Sequence, residues 1–177
     1  RDMCMIDHLQ DLMDAGVDCI KIEGRAKSAY YAAIVTGAYR HVIDDLMAGR
    51  EPDKTWLDEV NHVSHRFYST GFYYGEPGQY TSHSRYLREW QICAVVRECD
   101  ADGNALLTLN NKFRVGDEVE IVGPDLKPFA FTVPAMQDVD GNPLEEARHP
   151  QMQFRMKFPG HVPPLSFVRH AVELSGR

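Results

Sequence analysis

The stretch CIKIEGRAKS, residues 19–28, decides how the first half of this chain is read. It opens on the apolar Cys19, Ile20 and Ile22, then sets Lys21, Glu23, Arg25 and Lys27 on alternate positions. Alternate residues of an extended chain share a face, so residues 17–23, VDCIKIE, are expected to form a strand whose C-terminal end is charged. Two readings follow. One is a solvated sheet margin with an internal ion-pair network. The other is the working end of a β/α-barrel strand, because such barrels keep their active sites at the C-terminal ends of their strands. In the second reading Lys21 and Glu23 share a side, Gly24 lets the backbone turn, and Arg25 clamps a carboxylate or phosphate that Glu23 helps to orient. Glu23, Arg25 and Lys21 are therefore the candidate catalytic residues.

Around this stretch the grammar is that of an α/β repeat. Residues 3–15 are expected to be a helix, with Ile6, Leu9, Leu12 and Met13 on one face and Gly16 as the stop. Ser28 is a plausible N-cap for a long helix whose apolar residues Tyr30, Ile34, Ala38, Val42 and Leu46 recur every fourth position until Gly49. Helix, strand, helix implies a parallel sheet. One repeat cannot bury both faces of its strand, and the chain starts on Arg1 rather than Met, so the rest of the barrel is expected to lie outside this sequence. A further helix is expected from about Thr55 to Arg66. The aromatic, glycine-punctuated FYSTGFYYGEPG that follows has the look of a connection.

From about Arg85 the period changes to two. WQICAVVREC, NALLTLN, DEVEIVG, FAFTVPAM and QMQFRMKF are expected strands, separated by the turn signals DADGN, RVGD, GPDLKP and DVDGNP. Met152, Phe154, Met156 and Phe158 alternate with Gln151, Gln153, Arg155 and Lys157, one face in and one face out. Short strands with no helix between them imply a small antiparallel barrel or sandwich. The expected architecture is α/β followed by all-β. Residues 1–54 form the C-terminal βα portion of an incomplete TIM-like β/α barrel, residues 55–84 are a connecting segment, and residues 85–177 make a small antiparallel β-barrel domain.

Bulk composition narrows the function. The chain has 26 acidic against 19 basic residues, a net charge of −7, so bulk electrostatics do not draw it to nucleic acid. The imbalance is uneven: residues 1–78 carry 13 acids and 8 bases, residues 79–177 carry 13 and 11, and the second half can still present a local basic face. No run of eighteen apolar residues exists to span a membrane, and no secretion leader is visible. The four cysteines, Cys4, Cys19, Cys93 and Cys99, follow no disulfide framework, which points to a reducing cytoplasm.

Few residues fall into a familiar catalytic pattern. Cys4 and His8, four apart, suit a thiolate–imidazole pair or two ligands of a metal or cluster, or are a chance spacing. His62 and His65 lack a third ligand at a useful spacing and read as a solvent-facing or capping pair. Cys19, Cys93 and Cys99 read as core residues. DVDGNP begins like a calcium loop but lacks its closing Glu, and is taken as a hairpin. His-Glu-x-x-His, Gly-x-Ser-x-Gly and Walker sequences are absent.

Taken together, DMCMIDHLQDLMDAGVDCIKIEGRAKSAYYAAIVTGAYRHVIDD (residues 2–45) closely resembles the collagenase-like peptidase family U32. VSHRFYSTGFYYGEP (63–77) resembles a second motif of that family, and NNKFRVGDEVEIVGP (110–124) with DVDGNPLEEARHPQ (138–151) resembles its C-terminal barrel domain. The resemblance implies an N-terminal barrel missing from this chain. It implies either protease or collagenase activity, after the family's name, or oxygen-independent hydroxylation of a tRNA uridine, of ribosomal RNA or of a quinone precursor. The tRNA branch, which this chain resembles more, uses prephenate as oxygen donor and an iron–sulfur cluster on four cysteines. Cys4 stands where the fourth ligand falls, the other three lying upstream. Glu23 and Arg25, with Lys21, would then hold a dianion such as prephenate, or an RNA phosphate. Arg85, Arg88, Lys112, Arg114, Arg155 and Lys157 could dock tRNA, and Phe72, Tyr73 and Tyr74 could stack on bases or pack at the junction. A third class of function is a non-catalytic C-terminal barrel that docks RNA or a protein. The chain alone is expected to be inactive.

Overall fold

The computed structural model describes residues 1–83 and 85–172, arranged as two compact units: residues 1–89, and a second beginning at Trp90. The first unit holds the helices. Its dominant element is a 19-residue helix, α2 (Ala29–Met47). Ser28 caps it as the sequence implies, its side-chain oxygen accepting the N–H of Tyr31 at 3.2 Å, which satisfies one of the orphan donors of the first turn. The expected four-residue period is what the helix buries: Tyr30, Ile34, Ala38 and Val42. Past the helix, Gly49 takes a φ of +69°, a conformation that suits glycine.

Two expected helices are shorter than the sequence suggests. Residues 3–15 resolve into a strand β1 (Asp2–Met3), a 3-10 turn at Ile6–His8 and a helix α1 (Leu9–Asp14). The helix expected from Thr55 to Arg66 is α3 (Lys54–Glu59), capped by the Asp53 carboxylate accepting from Thr55 N–H, with a 3-10 turn at Val60–His62. In both places the chain leaves the helix to make strand contacts. β1 pairs in parallel with β2 (Tyr68–Ser69), and His65 makes an antiparallel bridge to Leu87. Ile6, Leu9, Ala38, Val42, Trp56 and Val60 form this unit's core.

The expected strand at residues 17–23 is not one. The segment is not in regular secondary structure, and Val17 and Ile20 remain 42% and 37% exposed. A strand is defined by the neighbour that takes its backbone hydrogen bonds, and among the described residues none pairs with this segment. A portion of a β/α barrel is therefore not seen among the described residues.

The second unit is a single eight-stranded antiparallel sheet with a two-stranded annex. Its strands are β3 (Trp90–Cys99), β4 (Asn104–Leu109), β5 (Phe113–Arg114), β6 (Glu118–Gly123), β7 (Leu126–Thr132), β8 (Met136–Asp138), β9 (Pro143–Leu144), β10 (Glu146–Ala147), β11 (Gln153–Lys157) and β12 (Phe167–Ala171). The order is β7-β6-β12-β3-β4-β11-β8-β9, with β5 and β10 paired separately. The expected barrel is not closed, because the end strands β7 and β9 have no ladder between them. Register shifts at Val96/Glu98, Val168/Arg169 and Ile121/Gly123 bend the sheet locally without joining its edges.

Along β11 the core is drawn from one face of the strand. Phe154 and Met156 are buried while Gln153, Arg155 and Lys157 are exposed, as period two predicts. Burying a side chain such as Phe154 or Leu107 in full contributes about 1.5–3 kcal/mol. The turns DADGN and DVDGN use one design. The Asp100 carboxylate accepts from the N–H groups of Asp102 and Asn104 and from the Asn104 side chain. Asp138 does the same with Asp140 and Asn142. The carboxylates thus serve their own loops, in line with the hairpin reading of DVDGNP. Gly103 is required in the first of these turns, since it has a φ of +86° and a Cβ there would fall 2.4 Å from the Phe158 carbonyl oxygen.

Candidate functional site

A cleft of about 650 Å³ in the first unit brings together Cys4, Cys19, Lys21 and Glu23 from among the residues that the sequence singles out. One wall is α2, which presents Tyr31, Val35 and Tyr39 at four-residue intervals. The opposite side is the extended segment with Cys19, Ile20, Lys21, Ile22 and Glu23. Arg1 to Met5 and the aromatics Tyr68, Tyr73 and Tyr86 complete it. A volume of this size suits one small molecule or one nucleotide rather than a helix of nucleic acid.

At one end sits Cys4, half-buried, its sulfur 3.7 Å from the hydroxyl of Tyr39. That hydroxyl accepts the backbone N–H of Met5 at 3.0 Å, which leaves its own hydrogen free to point at the sulfur. Burial pushes the Cys4 thiol up from its ordinary value, against the smaller opposing effects of the Ile6 backbone N–H and the Tyr39 hydroxyl. Burial also raises the Tyr39 and Tyr68 hydroxyls. Cys4 lies outside any helix, so the four-residue spacing to His8 does not mark a shared helical face. His8 faces Asp11 at 3.5 Å and packs against the Tyr74 ring.

At the other end Lys27 donates to the carbonyl of Ser64 at 3.0 Å and lies 5.0 Å and 4.2 Å from the ring centres of Tyr31 and Tyr86. Arg66 donates through Nε to Asp2 at 2.8 Å and also approaches the Tyr86 ring. Partial burial acts to raise the Asp2 carboxyl, but the backbone N–H and guanidinium of Arg66, with Lys27, outweigh it and hold the group below its ordinary range. The charged lining consists of Arg1, Lys21, Lys27 and Arg66 against Asp2 and Glu23, a net positive concavity in a chain whose overall charge is −7.

The structure brings Lys21 and Glu23 to this cleft but leaves Arg25 off its lining. Arg25 is exposed, and its backbone N–H donates to the Glu23 carboxylate at 3.0 Å. Cys19, expected in a core, is exposed and lines the cleft, because the segment carrying it is not a buried strand. Lys27 and Arg66 escape sequence reading as a pair because 39 positions separate them. The signal that could have found them is RAKSAYY with SHRFY, a cation and a ring in each.

The remaining candidates disperse. His62 is bound to Glu59 at 3.0 Å, and His65 is buried, bonded to the Arg66 carbonyl and stacked on Tyr68. Phe72, Tyr73 and Tyr74 are exposed, and Tyr74 bonds Asp11. Arg85 is exposed and Arg88 donates to the Ser64 hydroxyl. Cys93 is buried, which with Asp117 nearby pushes its thiol up to about 12, and Cys99 packs against the same core. In the second unit Lys112 and Arg114 border a hollow of about 430 Å³, in company with Asp117, Glu118 and Glu146. Arg155 and Lys157 lie on the exposed face of β11. No helix among the described residues is long and apolar enough to cross a membrane.

Comparison with known proteins gives two family matches. Peptidase family U32 matches residues 1–83, and the peptidase family U32 C-terminal domain matches residues 88–169. The tRNA hydroxylation protein P1 of Bacillus subtilis is 33% identical, over 96% of this chain and 42% of its own length. An uncharacterized protease of Methanocaldococcus jannaschii is 34% identical, over 77% of this chain and 36% of its own. The chain thus spans well under half the length of these relatives. The crystal structure of a C-terminal domain from a U32-family protein of Geobacillus thermoleovorans is 31% identical, covering 47% of this chain and 93% of that one, with a TM-score of 0.44.

Proposed function

The chain belongs to peptidase family U32, and on that premise we propose that it is the C-terminal part of an RNA-modifying protein that hydroxylates a tRNA uridine. The observation that carries this reading is the cleft: a net positive, tyrosine-rich concavity in an acidic chain, with a cysteine at one end. The likeness to a protein named for tRNA hydroxylation runs through both units.

The donor set fits part of an iron–sulfur site. Cys4 faces the cleft from a half-buried position and Cys19 lines the same cleft, so this chain offers one thiolate or two, and the remaining ligands come from the rest of the full-length protein. When bound, such a cluster supplies one-electron chemistry tuned by hydrogen bonds to its sulfurs. The Tyr39 hydroxyl is placed to make one of those bonds, to Cys4. Lys21 and Glu23 are positioned to orient an anionic co-substrate such as prephenate, with Arg25 beside them on the exposed side of the turn. The basic residues of the second unit, Arg155 and Lys157 above all, are a second surface for tRNA.

A peptidase reading takes its support from the name of the archaeal relative. The chemistry near Cys4 runs against it. A nucleophilic cysteine needs a base and a lowered thiol value, whereas Cys4 has a tyrosine hydroxyl beside it and a raised one.

Nucleoside mass spectrometry of bulk tRNA from cells lacking the full-length gene tests the proposal. Hydroxyuridine should vanish and return with the wild-type gene. An unchanged nucleoside profile would refute the RNA reading.

A further inference from the structure

The cationic end of the cleft is built differently from the cysteine end, and three elements converge to make it. The antiparallel bridge between His65 and Leu87 has N–H···O distances of 3.3 and 2.7 Å and sets Arg66 beside Tyr86. The start of α2 delivers Lys27 to the same ring, 4.2 Å from its centre. That helix terminus itself carries partial positive charge. Asp2 neutralises Arg66 along one edge, so Lys27 remains as the net charge of the group. An ammonium has three donors and a guanidinium five, and the single bonds to Ser64 and the Asp2 contacts leave capacity on both. Two rings of the cleft lining are open to solvent: Tyr86, at this end, is 46% exposed, and Tyr73 is 63% exposed.

Cations set against solvent-facing tyrosines are the chemistry by which proteins hold single-stranded nucleic acid, with charge taking the phosphate and the ring taking the base. A small dicarboxylate would need no exposed rings. We propose that Lys27 and Arg66 hold a backbone phosphate of single-stranded RNA at the mouth of the cleft, while a base stacks on Tyr86. This deepens, and rests on, the RNA reading above. Tyr31 and Tyr39 stand two helical turns apart, about 12 Å along α2, so an RNA gripped at Tyr31 and Tyr86 directs the adjoining nucleotide along the helix toward Cys4. Enzymes that act on a base extrude it from its stack, and a cleft of about 650 Å³ is suited to one such nucleotide.

The test is fluorescence anisotropy of the chain with a short labelled single-stranded RNA across a salt series. The wild-type chain should bind. Lys27→Gln should weaken binding about fivefold to tenfold and lower the salt slope by about one phosphate contact, whereas Lys27→Arg should retain both. Tyr86→Leu should cost about tenfold with the salt slope unchanged. Circular dichroism melts of each variant separate lost binding from lost folding. The inference fails if the wild type does not bind, if Lys27→Gln binds as wild type, or if only Arg155→Gln with Lys157→Gln weakens the complex. The last result would leave RNA recognition standing and move it to the second unit. Loss of tRNA hydroxyuridine in the gene deletion is a separate readout, so this subsite can fail while the proposed function survives.

Discussion

The sulfur of Cys4 and the hydroxyl of Tyr39 lie 3.7 Å apart, and the same hydroxyl accepts the backbone N–H of the buried Met5 at 3.0 Å. One tyrosine therefore fixes both the cysteine and the turn that carries it. Removing the hydroxyl orphans a buried donor, which costs about 1–3 kcal/mol. Tyr39→Phe should lower the urea midpoint of the chain accordingly and, by removing a donor that favours the Cys4 thiolate, slow its alkylation. An unchanged midpoint would show that the Met5 bond is not what holds the turn.

The cysteines should separate by reactivity. Cys19 is exposed, Cys4 is half-buried with a raised thiol, and Cys93 is buried with its thiol pushed up to about 12. Only the thiolate attacks an alkylating reagent. At neutral pH iodoacetamide should label Cys19 first, Cys4 slowly, and Cys93 only after unfolding. Labelling of Cys4 should accelerate above the ordinary thiol range of about 8.5. Peptide mass spectrometry reads the order, and Cys4 reacting ahead of Cys19 at pH 7 would contradict it.

On β11 two adjacent residues should differ sharply. Phe154 is buried and packs edge-on against Phe113, with ring centres 5.6 Å apart, whereas Arg155 points to solvent. Phe154→Ala should cost about 3–5 kcal/mol through the cavity it leaves, and Arg155→Ala no more than about 0.5 kcal/mol. Denaturant melts of the two variants decide it, and equal losses would show that burial does not set these two side chains apart.

The twin turns make a prediction about acid. Donation from the Asn104 side chain, then from backbone N–H groups, lowers the Asp100 carboxyl, and Asn142 does the same for Asp138. A carboxyl whose folded value lies below its unfolded one stabilises the fold above the ordinary range near 3.9, and the contribution is lost as pH falls through the folded value. Asp100→Asn with Asp138→Asn should therefore flatten the fall in melting temperature between about pH 5 and pH 2. Parallel curves for wild type and variant would show that these turns do not titrate with folding.

The parts of the molecule legible in its sequence are those fixed by local rules. Ser28, the four-residue period from Tyr30 to Val42 and Gly49 define α2 without help from elsewhere, and Phe154 with Met156 reveal the buried face of β11. β12 was not foreseen because FVRHA breaks the alternation: Arg169 is fully buried, donates to Glu120 at 2.8 Å and lies over the Trp90 ring. Residues 17–23 carry the pattern of a strand, yet a strand exists only through its neighbour, and none among the described residues pairs with them. Cleft residues such as Lys21 and Glu23 were visible because they cluster in one segment. Lys27 and Arg66 meet only through the fold, over Tyr86.

On the proposed function, the cleft holding Cys4 is where the full-length protein works on tRNA. The most direct measurement is hydroxyuridine in bulk tRNA from a gene-deletion strain rescued, at matched protein levels, with wild type or with Cys4→Ala. Wild type should restore the modified nucleoside and Cys4→Ala should not. Full restoration by Cys4→Ala would place the chemistry outside this cleft.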